Sequence, residues 1–304
     1  MLSQDMERYV ALQRAGGLNF QSEYDYLKRF VAFAEAAGDD VVHADRAIAW
    51  ASLALAPKGR RRRLGIVRRF ALAMRNEDAR YEVPSADLFG RWCFARQVPH
   101  IYTPDEIARL MQAAMGLGPP GSIRPLTYVT LFGLLAVTGL RISEALSLKI
   151  GDVTADGLVV RESKFRKSRL VPLHPTTRRA IDAYLSERLA RSGTDDTLFV
   201  STNGRRLIYQ TFHEVFLTLA RSLGLRGEPY QKGPRVHDLR HTFAVRSLEQ
   251  CGTDRRSISR HMVALSTYMG HVSPSHTYWY LQATPALMKQ IAEAGETLQW
   301  GEPS

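Results

Sequence analysis

Near its C-terminal end the chain reads Val236-His237-Asp238-Leu239-Arg240-His241, then Met269-Gly270-His271, then Tyr278-Trp279-Tyr280. An earlier stretch, Thr138-Gly139-Leu140-Arg141-Ile142-Ser143-Glu144, contributes another arginine. On a helix His237 and Arg240, three residues apart, share one face. That face offers an imidazole beside a planar guanidinium fork, the geometry with which arginine grips an oxyanion. His241 projects about 100° away from Arg240 and reads as structural. Taken singly, an HxxR spacing recurs by chance. Glu144 follows Arg141 by three residues and is placed to orient its guanidinium, although such local pairs are common and weak. Gly270 permits a tight turn before His271, where a histidine capping a helix end is the blander reading. Tyr278 and Tyr280 project about 200° apart on a helix, so only one of them can face a bound group.

The set as a whole says more than its members. Two arginines, two histidines and a tyrosine suit attack on a phosphodiester without a metal. Arginines hold the non-bridging oxygens, histidines support proton movement, and a phenol is the nucleophile. Metal catalysis ranks below this, because Asp152, Asp156, Asp195 and Asp196 sit in turns without an accompanying histidine array. No cofactor is expected.

Composition is compatible with a polyanionic partner. Over 304 residues the net charge is +11, with 45% hydrophobic and 23% charged residues, so the chain is globular, basic and long enough for two domains. No apolar run approaches the roughly 20 residues that span a bilayer. The first residues, with Asp5 and Glu7, lack a signal-peptide core. Cys93 and Cys251 lie far apart, without metal-ligand spacing, which suits a reduced, cytoplasmic protein.

Periodicity predicts a mainly α fold with a small antiparallel β-sheet. Tyr24, Leu27, Phe30, Val31 and Ala34 repeat at helix spacing before Gly38, and a second helical segment runs from about Asp45 to Leu55. A basic run follows: Arg60, Arg61, Arg62 and Arg63, continuing to Arg68 and Arg69. Such runs are usually solvated helix faces; in a basic chain this one is expected to contact phosphates. Prolines interrupt the pattern from Glu82, and a linker is expected near Gln97 to Tyr102, giving domains 1–98 and 99–304. Thr103-Pro104-Asp105-Glu106 is a capping box opening the second domain. Ile123 to Val137 reads as an interior helix, followed by Gly139 and a short helix bearing Arg141. Gly157–Val160 and Leu170–Leu173 read as strands about the basic turn Ser163–Arg169, and Leu198-Phe199-Val200 as a third. Phe212, Val215, Phe216, Leu219 and Leu223 form one helical stripe.

In combination these motifs resemble the tyrosine recombinase (phage-integrase) family over roughly Thr103 to Met288. The preceding helical segment fits that family's N-terminal DNA-clamping domain, and the remainder its α+β catalytic domain. The resemblance assigns catalytic roles to Arg141, His237, Arg240 and His271. It selects Tyr280 as nucleophile, nine residues after His271, with Tyr278 as the rival. The family's catalytic lysine sits on a turn between two strands. Lys164 is the better positional match and Lys167 the alternative, on a turn that lacks the glycine of many relatives. Arg166, Lys167 and Arg169 are then expected to grip DNA.

The resemblance implies a site-specific DNA recombinase working through a covalent 3′-phosphotyrosine, without metal or ATP, in integration, excision or resolution of a mobile element or replicon. Its implied partners are double-stranded DNA sites, four protomers on two duplexes, and conceivably a second recombinase. It also implies a C-terminal segment exchanged between protomers, for which Ala286, Leu287, Ile291 and Leu298 supply an apolar tail. A relaxing topoisomerase of the same chemistry and a DNA-binding protein that has lost cleavage are the competing readings.

Overall fold

The computed structural model describes residues 1–90, 98–161, 168–191, 195–228, 231, 233–250, 255–270, 277 and 280. Lys164, Arg166, Lys167, His271, Tyr278 and the apolar tail from Ala286 lie outside them. The chain divides into two compact units, Met1–Arg96 and Gln97–Ser304.

The first unit is helical: α1 (Leu2–Ala15), α2 (Gln21–Glu35), α3 (Ala44–Ser52) and α4 (Pro57–Met74). Each turns an apolar stripe inward, with Leu27, Phe30, Val31 and Ala34 of α2 all buried. Phe30 meets Trp50 edge-on at 5.5 Å between ring centroids. The basic run lies on α4, opened by Pro57 at a position that needs no amide donor.

The second unit begins with α5 (Pro104–Met115). Its capping box is complete: Glu106 N donates to Thr103 Oγ1 at 3.1 Å, and Thr103 N donates to Glu106 Oε2 at 2.8 Å. Helix α6 (Arg124–Thr138) is central, packed by α5, by α8 (Pro175–Leu189) and by α10 (Val236–Glu249). It ends at Gly139, in the left-handed region at φ 60°. A Cβ at Gly139 would also lie 2.4 Å from Phe243 Cδ1, so both backbone and packing demand glycine there.

The chain then turns through α7 (Ile142–Ala145) into a three-stranded antiparallel sheet in the order β1 (Val153–Thr154), β2 (Gly157–Val160), β3 (Arg169–Val171). Two expectations are corrected here. Strand β1 was not foreseen, whereas Leu198–Val200 forms no strand of the sheet. Its neighbourhood makes only isolated bridges, Lys149 with Thr197 and Val200 with Arg206. Leu198, Phe199 and Val200 are nevertheless buried, so their apolar run marked core and not pairing. Strand β3 ends before Pro172, which has no amide to donate.

Register decides where Arg169 points. Val160 pairs with Arg169 and Leu158 with Val171. Leu158, Val160 and Val171 are buried while Leu170 is exposed, so Arg169, two residues before Val171, faces inward.

Helix α9 (Tyr209–Ser222) buries Phe212, Val215, Phe216 and Leu219, and Leu223 packs beside them. Helix α11 (Arg255–Tyr268) lies against α10. Met262, Leu265 and Met269 form with Ala244, Val245, Leu248 and Tyr280 a small separate core.

Candidate active site

A helix leaves its last carbonyls without intrahelical partners. At the end of α11 the last helical carbonyl, that of Tyr268, and the next two in the turn after it are taken by three arginines from three other segments. Arg169 Nε donates to the Tyr268 carbonyl at 2.8 Å, an Arg240 terminal nitrogen to Met269 at 2.7 Å, and an Arg141 terminal nitrogen to Gly270 at 3.1 Å. The other Arg240 terminal nitrogen donates to the Gly139 carbonyl at 2.6 Å. Arg240 is thereby stretched between the end of α6 and the end of α11, and its side chain is 2% exposed.

Glu144 supplies the carboxylate. Arg141 is the residue preceding α7, not a member of the helix, and Glu144 stands at its third position. Glu144 accepts four hydrogen bonds, two on each oxygen. Arg141 gives its terminal nitrogen at 2.6 Å and its backbone amide at 3.0 Å. Arg169 gives both terminal nitrogens, at 3.1 and 2.8 Å. Burial pushes this carboxyl up, but hydrogen bonds from Arg169 and Arg141 outweigh it and hold the group down at about 2. Three guanidiniums against one carboxylate leave an excess of positive charge, softened by the partial negative charge of the α11 terminus. Burial, then repulsion by Arg141, lowers Arg240 to about 10; it remains cationic at neutral pH.

His237, the second residue of α10, is exposed, and its ring stands edge-to-face with that of His241 at 4.7 Å between centroids. Crowding by the surrounding walls, then Arg240 and Arg235, lower its imidazole from the ordinary range. His237 and Arg240 share a helix side as expected, yet only the histidine lies open.

Tyr280 is 2% exposed. Its hydroxyl lies 3.2 Å from His241 Nδ1, and the phenol interacts electrostatically with Arg240. Sequence reasoning set His241 aside as structural; its position beside Tyr280 gives it a direct bearing on the phenol. Burial, then the adjacent His237, bring His241 down to about 3, so its ring is neutral at neutral pH.

The expected DNA-contact residues divide. Arg169 is turned inward by β3 alternation: its side chain is 13% exposed, and all three of its nitrogens donate within the protein. On α4 the arginines are partly anchored within their own unit. Arg60 donates to the Ala54 carbonyl, Arg61 to Phe89, Arg63 to Trp50 and Arg68 to Pro84. Arg62 donates to Ser22 and lies over the Tyr26 ring. Arg62 and Arg69 are exposed and the others half-buried. Arg61, Arg68 and Arg69 line a cavity of about 250 Å³ with Asp87. Among the described residues no group of three or more His, Cys, Asp or Glu could hold a metal ion.

The Phage integrase family model matches residues 101–286, more than half of the chain. A Sinorhizobium fredii protein carried under an integrase/recombinase name, y4rB, is 37% identical over 297 residues, covering 94% of each chain. This chain belongs to the phage integrase family. That family, the tyrosine recombinases, comprises enzymes of site-specific DNA cleavage and rejoining. Tyrosine recombinase XerD of Oceanobacillus iheyensis is 32% identical over 204 residues, 66% of this chain and 63% of XerD.

The fold is shared with solved recombinases. A lambda integrase dimer bound to a core site gives a TM-score of 0.62 at 19% identity, covering 90% of this chain and 96% of that one. The Tn1549 transposon integrase with circular intermediate DNA gives 0.62 at 18%, covering 92% and 94%. Among the described residues no helix is long and apolar enough to cross a membrane.

Proposed function

We propose that this recombinase cleaves DNA by attack of the Tyr280 hydroxyl on a backbone phosphorus, forming a 3′-phosphotyrosine. The Tyr280 oxygen–phosphorus bond forms as the bond to the 5′-oxygen breaks. The phenolic proton is lost during attack, and the departing 5′-oxygen takes one up. Bond energy kept in the phosphotyrosine makes rejoining nearly isoenergetic, so the reaction calls for neither ATP nor a metal.

The observation that carries this reading is the convergence of Arg141 and Arg240 on the end of α11, with Tyr280 electrostatically coupled to Arg240. Arg141 and Arg240 would bind the non-bridging oxygens and stabilise charge built up in the pentacoordinate state. His237, open at the surface, would position the phosphate or accept a proton, and His271 would add a hydrogen bond. Lys164, or Lys167 in its place, would protonate the 5′-oxygen. Arg240 and Tyr280 are each 2% exposed, so both must be uncovered before a phosphate reaches them, Arg240 by giving up a carbonyl partner and Tyr280 by leaving the Nδ1 of His241.

Attack by the 5′-hydroxyl of a second duplex then completes strand exchange. A lambda integrase structure is described as a tetramer bound to a Holliday junction. The same assembly, a homotetramer on two double-stranded DNA sites with exchanged C-terminal tails, is proposed for this chain. The first unit would clamp the duplex, and the protein would act in the cytoplasm.

The test is a nicked duplex whose short downstream fragment diffuses away after cleavage. Wild-type protein should accumulate as a covalent adduct in the presence of chelator, and Tyr280→Phe should not. An adduct that survives Tyr280→Phe transfers the role to Tyr278, and a requirement for magnesium at cleavage overturns the arginine clamp.

A further inference from the structure

We propose that Arg169 is a positioning residue of the cleavage reaction, acting through Arg141 and the end of α11 instead of touching DNA. The inference rests on the recombinase reading above and adds to it a group that reading does not use.

Each nitrogen of Arg169 is committed within the protein. Strand alternation turns it inward, and its three nitrogens donate to Tyr268 and to both oxygens of Glu144. Gly270 packs close to the guanidinium, where an added Cβ would be 3.0 Å from an Arg169 terminal nitrogen.

What Arg169 holds is the apparatus that holds Arg141. A carboxylate has about four lone-pair positions. Arg169 fills one on each oxygen, and Arg141 fills the other on each. With both partners in place the carboxylate can neither rotate nor take a third donor, and the Arg141 fork is fixed in one plane. Arg169 also secures the Tyr268 carbonyl, next in line to those held by Arg240 and Arg141. Without it, Glu144 loses half its bonds and one end of the three-carbonyl row comes loose. The cluster then keeps Arg141 and Arg240 but loses one positive charge and the geometry that Arg169 imposed, and misplacing a clamp by about 1 Å costs up to roughly 100-fold in rate.

The experiment is single-turnover adduct formation on the nicked duplex at saturating protein, followed for days so that slow variants still yield a rate. Wild type, Arg169→Ala, Arg169→Lys, Arg141→Ala and the Arg141→Ala/Arg169→Ala double variant are compared. Arg169→Ala should lower the rate constant roughly 10- to 100-fold while the reactive fraction and DNA affinity stay within about two-fold of wild type. The double variant should be no slower than Arg141→Ala, because residues acting as one unit are not additive. Arg169→Lys, a point charge that cannot fork two oxygens, should share the rate defect and supplies the comparison if alanine prevents folding.

A merely structural role would lower the reactive fraction and spare the rate constant, and a DNA contact would lower affinity; either result overturns the inference. So does a double variant slowed by the full product of the two single effects. Arg141→Ala cleaving at the wild-type rate removes the recombinase reading itself, and this inference with it.

Discussion

Replacing Glu144 by glutamine tests the charge balance of the site. The native carboxylate accepts four N–H groups. A carboxamide keeps one accepting oxygen and turns an NH2 toward guanidinium donors that have nothing to receive it. The stabilisation at stake follows from proton linkage. The folded-state carboxyl lies at about 2 against an ordinary 4.5. At about 1.4 kcal/mol per unit, that depression corresponds to about 3 kcal/mol of stability at neutral pH. The side chain is only 5% exposed, so solvent screening takes little from it. Because the folded value is lowered, the contribution is complete above about pH 4.5 and is lost as pH falls through 2. Glu144→Gln should therefore cost about 3 kcal/mol at pH 7, seen as a midpoint lowered by about 6–12 °C in calorimetry of the full chain. By pH 3 the gap between the two proteins should have narrowed. A cost below about 1 kcal/mol at pH 7, or a gap that ignores pH, refutes the reasoning.

Three further outcomes are expected. Gly139→Ala should destabilise by more than about 2 kcal/mol in thermal unfolding, from its positive φ and the Phe243 ring, and Phe243→Ala should restore part of the loss; an unshifted midpoint contradicts this. In NMR titration the His241 ring should stay neutral down to pH 5. Its folded value is lowered, so the stability gained from the neutral ring is whole above about pH 6.5 and fades toward pH 3; titration near 6.5 is the contrary result. Replacing the exposed Arg62 and Arg69 by alanine should reduce the slope of log affinity against log salt by about two, one for each phosphate no longer neutralised, and an unchanged slope removes them as DNA-binding groups.

Much of this protein is legible in its sequence because its signals are local. The stripe of α9, the capping box at Thr103 and the glycine ending α6 each depend on residues a few positions apart. Glu144 was readable as the orienter of Arg141 for the same reason. The hydrogen bonding of Arg169 was not, since it reaches a carboxylate 25 residues away and a carbonyl 99 residues away. One signal was present: Arg169 stands two residues before Val171 in a strand, on the face that Val171 buries. Composition spoke louder, and a basic turn read as a DNA grip. The contact of His241 with Tyr280 was not legible, because helical angle fixes which way a side chain points and not what approaches it from another segment. At Leu198–Val200 an apolar run fitted a strand or a buried loop equally well, and only tertiary pairing separates them.

The central claim is that the oxygen of Tyr280 becomes bonded to DNA phosphorus. Protein trapped on the nicked duplex, digested with protease and nuclease and sequenced by mass spectrometry, reports this directly. A single modified peptide carrying a 3′-linked nucleotide on Tyr280 is expected. A nucleotide on Tyr278 or on any other residue, or attachment through a 5′-phosphate, would contradict it.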